Sequence, residues 1–209
     1  MSLVFHYAPW STAGVTHFAL EELGVPYEKV RVDITKGEQH APAFKALNPM
    51  QKVPVVVHDG QPIFESAAIA IYLGEVFGVE RGLFPAPGPL RGQAIQWIVW
   101  ANATLNEAVQ RTRLSSPTSP RVPEERRNAA MSAWGKADLE ARLGVLNDHL
   151  AGKEWIVGDR FSIVDAHLGA TAGWIASIEL LPKNLPHLHA WLQRVTARPA
   201  FQRTSGPDA

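Results

Sequence analysis

Three short segments hold residues whose types and spacing suit ligand chemistry. At Val53-Pro54 a proline opens an apolar run. Proline cannot donate to a sheet ladder, so it belongs at the first residue or edge of a strand. That placement leaves the N–H and C=O of Val53 available to an extended ligand, and a cis X–Pro bond would aim them outward. At Glu65-Ser66, a serine precedes the apolar run Ala67–Phe77. Ser66 is a good helix cap, and a helix start binds anions through its free N–H groups and its dipole. Glu65 can accept from an ammonium group, so the pair suits an α-amino-acid head. At Pro9-Trp10-Ser11-Thr12, two hydroxyls precede a second helix. One of them caps that helix, which leaves the other for chemistry.

The elements that must position these residues follow from periodicity and punctuation. Leu3–Tyr7 reads as a strand and Ala13–Leu23 as a helix, ended by Gly24 with Pro26 beyond. Tyr27–Val32 reads as a strand, and Pro42–Leu47 as a short helix that stops before Pro49. Val55–His58, the Asp59-Gly60 turn and Pro62–Phe64 form a hairpin pattern. Ala67–Phe77 is apolar nearly all round and reads as a buried or interface helix. Gly78–Pro89 is rich in glycine and proline and reads as a linker between residues 1–77 and 90–209. Beyond it the patterns are helical: Leu90–Arg113, Glu124–Leu150, a segment from Ser162, and Leu188–Thr196. Ser115–Pro123, with Pro117, Pro120 and Pro123, reads as a loop. Ser162 and Asp165 have the spacing of a capping box. The expectation is therefore a β-α-β-α-β-β-α unit followed by an all-helical unit.

Composition excludes several classes. The chain has 209 residues, 46% of them apolar, which is enough for a core. Its 20 basic and 20 acidic residues cancel, which argues against a general nucleic-acid binder. It has no cysteine, so disulfides, thiolate-bound metals and protein-thiol nucleophiles are ruled out. No nucleotide-binding glycine fingerprint occurs. His187 and His189 are two apart, so a helix would not bring them to one face, and no metal site is expected. The start has no cationic leader pattern. The longest strictly apolar run, Ala67–Leu73, is far below the ~20 residues of a membrane span. These points lead to the expectation of a cytoplasmic protein with no membrane partner.

The stretches Asn48–Pro54, Glu65–Leu73 and Gly158–Ala166, in that order, resemble the cytosolic glutathione transferases. The likeness runs from about Leu3 to Phe201, and the bacterial beta class is nearest in pattern. It implies a thioredoxin-like domain followed by an all-helical domain, a homodimer, and glutathione as co-substrate. Val53 would pair its backbone with the cysteinyl part of glutathione, and Pro54 would be cis. Glu65 and Ser66 would hold the γ-glutamyl head. Lys36 matches a lysine on the glycine-carboxylate side in the beta class, and Lys52 could add charge at the same end. The beta class has Cys where Thr12 stands, His where Asn106 falls and Asn where Val99 falls. A protein–glutathione mixed disulfide is thus impossible here. Asn106, with Asn102, remains as a polar group facing the cleft, and Trp10 is the expected wall of an electrophile pocket between the domains.

The chemistry implied needs no metal. A free thiol titrates near ~8.5, and only the thiolate is the nucleophile. Lowering that value by ~2 units takes about 2.7 kcal/mol. A hydroxyl donating to the anion supplies about 1.5–3 kcal/mol, and a helix dipole roughly 0.3–1 more. Ser11 is the first choice as that donor and Thr12 the alternate. The main expectation is transfer of glutathione sulfur to small hydrophobic electrophiles. Glutathione-dependent disulfide reduction, peroxidase or isomerase chemistry on the same fold stays open, as does a non-catalytic interaction module.

Overall fold

A computed structural model describes residues 2–120 and 122–204. The first half is β1 (Leu3–Tyr7), α1 (Ala13–Leu23), β2 (Glu28–Arg31), α2 (Pro42–Leu47), β3 (Val55–His58), β4 (Gln61–Phe64) and α3 (Ser66–Leu73). The four strands form one sheet in the order β2-β1-β3-β4. β1 runs parallel to β2 and antiparallel to β3, and β3 runs antiparallel to β4. The βαβ crossover supplies the parallel pair. The hairpin turn at Asp59 and Gly60 has φ of 46° and 82°, the positive pair a two-residue turn of that twist requires.

The second half is helical: α4 (Pro89–Trp100), α5 (Asn106–Leu114), α6 (Ala129–His149), α7 (Ile163–Ser177), α8 (Pro186–Thr196) and α9 (Pro199–Arg203). This is the thioredoxin-like unit followed by helices that the sequence predicts. Among the described residues, no helix is long and apolar enough to cross a membrane.

Three expected helices are divided by local events. The helix expected over Ala67–Phe77 begins one residue earlier and gives way to a wide i→i+5 turn at Gly74–Gly78. A Cβ on Gly74 would sit 2.6 Å from the Phe84 ring, so glycine there lets the connecting segment pack against α3. The helix expected over Leu90–Arg113 contains a second wide turn at Ala101–Leu105. Such turns admit an extra residue and re-aim side chains, often at functional sites. The one expected over Glu124–Leu150 starts only at Ala129, because Asn128 caps it through a 2.9 Å bond from Met131 N–H. The short α9 is additional to the expected elements.

The two halves share a core. Phe5, Phe18, Ile69 and Leu73 from the first half, and Ile98, Leu105, Ile163 and Trp191 from the second, are fully buried in one cluster. Arg198 grips Glu22 of α1 through two parallel bonds of 2.6 and 2.7 Å, the strong bidentate geometry. The capping box opens α7 as expected. Asp165 accepts from Ser162 N–H at 3.0 Å, and Val164 N–H reaches Ser162 Oγ at 3.2 Å. The same carboxylate also accepts from Ile156 N–H at 3.0 Å and Trp191 Nε1–H at 2.9 Å. It thus fixes the α6–α7 connection and α8 together. Burial raises its pKa to about 6 against the pull of these donors.

Candidate functional site

The Val53-Pro54 peptide bond is cis. The turn that precedes it is held by Asn48, which donates to the Lys52 carbonyl at 2.7 Å and accepts from Met50 N–H at 2.9 Å. Val53 N–H finds no acceptor among the described residues. Its carbonyl receives one contact, from Thr12 Oγ1 at 3.3 Å. The first loop therefore comes up against the cis-proline turn at one end of the two central strands, β1 and β3.

The two hydroxyls of that loop differ. Ser11 Oγ donates to the Ala8 carbonyl at 2.7 Å and accepts from Ala13 N–H at 3.1 Å. Ser11, one residue before the N-cap position that Thr12 occupies, thus ties the loop to the first N–H of α1, and its proton is engaged in a short bond within the loop. Thr12 is exposed and has only the long contact to Val53, a weak bond that a better acceptor can replace. Trp10 sits at φ 58° and is 85% exposed, projecting from the loop rather than packing into the helical half.

Glu65 has φ 69°, a backbone state that costs roughly 1–3 kcal/mol and recurs at ligand clamps. It turns the chain from β4 into α3, leaving the exposed Glu65 carboxylate beside the helix start. Ser66 Oγ accepts from Asn102 Nδ2 at 2.8 Å, and Asn102 Oδ1 meets His167 Nε2 at 2.8 Å. Asn102 lies in the wide turn 101–105, and that turn directs it at α3. His167 is fully buried, and burial lowers its pKa to about 4. Asn106, one turn further along, is half-buried and accepts from Gln110 at 3.3 Å.

Beside the cis-proline turn runs a groove of about 440 Å³ lined by Ile34, Gln39, His40, Met50, Gln51, Lys52 and Val53. His40 Nδ1 meets Gln51 Oε1 at 2.7 Å and its Nε2 meets Gln39 Nε2 at 3.1 Å. Lys52 borders this groove. Lys36 does not, and its ammonium faces Asp33 at 3.2 Å. A cavity of about 510 Å³ lies between the end of α5, the following loop, α6 and the residues after α7. No residue of the sheet-containing half borders it. Among the described residues, no cluster of three or more His, Asp or Glu could hold a metal ion.

The family model for the glutathione S-transferase N-terminal domain matches residues 3–75, and that for the C-terminal domain matches 109–199. The chain belongs to the glutathione S-transferase family. It is 33% identical over 186 residues to glutathione S-transferase GstB of Escherichia coli, covering 88% of each chain. It is 30% identical over 198 residues to GstA of the same species, covering 94% of each. A Burkholderia graminis glutathione transferase, solved with two glutathione molecules per subunit, superposes with a TM-score of 0.84 at 29% identity. That match covers 97% of this chain and 87% of the other.

Within this family fold, the residues the sequence singles out fall into three groups. Thr12 and Val53 meet directly, and Glu65 with Ser66 opens the neighbouring helix. Lys52 joins the groove, whereas Lys36 and Trp10 face outward. Gln39, His40 and Gln51 were not singled out by sequence reasoning, because the 3₁₀ turn Glu38–His40 and the φ of 56° at Gln51 leave no periodic signal. His167 was missed too. It sits inside an apolar helix, where a lone histidine reads as core.

Proposed function

We propose that the protein binds glutathione along the groove and conjugates its thiolate to small hydrophobic electrophiles. The observation that carries this reading is the approach of the Thr12 hydroxyl to the Val53 carbonyl beside the cis-proline. An extended cysteinyl residue pairing with Val53 takes that carbonyl with its own N–H and accepts from Val53 N–H. The Thr12 proton is then released toward the sulfur next to it. Ser11 holds the loop through its bonds to Ala8 and Ala13, so Thr12 is the donor and Ser11 the positioning residue. The dipole of α1 adds to the same end.

Glu65 and the start of α3 take the γ-glutamyl head, ammonium on the carboxylate and carboxylate on Ser66. The groove at Lys52, Gln39 and His40 takes the glycine end. Trp10 and Asn106 flank the open side where an apolar electrophile approaches the sulfur. The protein works in the cytoplasm as a homodimer, with isologous contact through α3 and α4. Supporting this, Val76 just after α3 and Leu90 and Val99 on α4 remain between 44% and 49% exposed.

The test is turnover with glutathione and a panel of aryl halide, epoxide and disulfide substrates, beside retention on glutathione resin. Conjugation of the aryl halide or epoxide is expected. Activity on disulfides alone would replace the transferase reading with a reductase one, and no retention would favour a non-catalytic module.

A further inference from the structure

Ser66, Asn102 and His167 form a hydrogen-bonded chain that crosses from the ligand side of the thioredoxin-like half into the core of the helical half. Its direction is fixed by the buried end. His167 Nδ1 is buried and has no partner among the described residues. A neutral imidazole carries one proton. On Nδ1 that proton would be an orphaned buried donor, the rarer and costlier case. On Nε2 it is satisfied by Asn102 Oδ1. The amide of Asn102 is thereby oriented, with Nδ2–H facing Ser66 Oγ. Ser66 then accepts from Asn102 and cannot give its own proton back along the chain. Its O–H donates to no acceptor among the described residues, and it stands at the first position of α3.

We infer that Asn102 and His167 are positioning residues, which turn the Ser66 hydroxyl outward to donate to the carboxylate of glutathione's γ-glutamyl end. This rests on the proposed glutathione reading. It extends that reading to two side chains that touch no ligand, one of them a buried histidine in α7. An orphaned nitrogen in the core is destabilising, a cost that fits a histidine whose role is to orient a binding group elsewhere.

The test compares His167→Phe, His167→Gln and Asn102→Ala with the wild type. Glutathione binding is measured by calorimetry, and KM and kcat are measured with both glutathione and cysteinylglycine, which lacks the glutamyl residue. His167→Phe and Asn102→Ala should raise Kd and KM for glutathione about three- to tenfold, the net worth of one ordinary hydrogen bond. The loss should fall on KM rather than kcat, and should be much smaller for cysteinylglycine. Glutamine keeps a donor where Nε2–H stands, so His167→Gln should recover most of the affinity. Wild-type affinity in both His167→Phe and Asn102→Ala, or an equal loss with cysteinylglycine, would overturn the inference. If His167→Phe does not fold, Asn102→Ala decides the matter alone. Failure of the wild type itself to bind glutathione would instead overturn the reading on which the inference stands.

Discussion

Thr12 Oγ1 lies 3.3 Å from the carbonyl oxygen of Val53, although 41 residues separate them. The contact joins the loop after β1 to the turn before β3, and both strands are neighbours in the sheet. It puts a hydroxyl with no strong partner beside the backbone groups of Val53, which the proposed reading pairs with an extended cysteinyl residue. Ser11, one residue earlier, has its oxygen fully engaged by Ala8 and Ala13. The two alcohols therefore have separable roles.

Replacing Ser11 by alanine removes the side-chain acceptor of Ala13 N–H, the first of α1, and the bond to the Ala8 carbonyl. A loss of about 0.5–2 kcal/mol of stability is expected, read as a lower denaturant midpoint. The pH midpoint of turnover should stay near that of the wild type. A large upward move of that midpoint with unchanged stability would return the donor role to Ser11.

Lys52 borders the groove and Lys36 faces Asp33. Lys52→Ala should raise KM for glutathione about two- to fivefold, the worth of one exposed charge contact, while Lys36→Ala stays near wild type. The dipeptide γ-glutamylcysteine, which lacks the glycine carboxylate, should be insensitive to both changes. An effect of Lys36→Ala larger than that of Lys52→Ala would contradict this placement.

Asp165 serves the backbone N–H groups of Ile156 and Ser162 and the indole N–H of Trp191. Asp165→Ala leaves three buried donors without acceptors, each worth about 1–3 kcal/mol. Equilibrium unfolding should show a loss of about 3 kcal/mol or more. A loss below 1 kcal/mol would mean that the capping box is not what holds the helical half together.

Stability should also fall as pH drops from about 6.5 toward 4. Burial lowers the pKa of His17, with Lys29 adding to the effect, and burial lowers that of His167; both reach about 4. Each stays neutral in the folded chain while the unfolded chain takes up a proton near ~6.5. Asp165 acts in the opposite sense, because its folded pKa of about 6 favours proton uptake by the native state below that pH. Burial also holds His6 and His149 below the ordinary value, so the losses outweigh the gain, and thermal unfolding at pH 5 should come at lower temperature than at pH 7.5. A midpoint that rises on acidification would contradict the neutral burial of the histidines.

Much of this was legible before the structure. The Asp59-Gly60 hairpin, the proline before β3 and the box at Ser162 and Asp165 are local signals, each set by backbone chemistry within a few residues. The pairing of Ser11 with Ala8 is local as well, but two adjacent alcohols give the same pattern, and only the path of the loop separates them. The wide turns at 74–78 and 101–105 left no mark on periodicity, since one extra residue in a helix changes the pattern less than ordinary composition does. Asn102 and His167 meet across 65 residues, and no spacing rule reaches that far. Lys36 and Lys52 look alike in sequence, and the fold distinguishes them by setting Asp33 beside one and a groove beside the other.

The central claim is that Thr12 ionises the thiol of bound glutathione. It is tested most directly by titrating the ultraviolet thiolate absorbance of glutathione bound to the wild type, Thr12→Ala and Thr12→Ser. The wild type should titrate about two units below the free thiol value of ~8.5. Thr12→Ala should return most of the way to that value, and Thr12→Ser should stay near wild type. A wild-type midpoint near ~8.5, or one that Thr12→Ala leaves in place, would contradict the account.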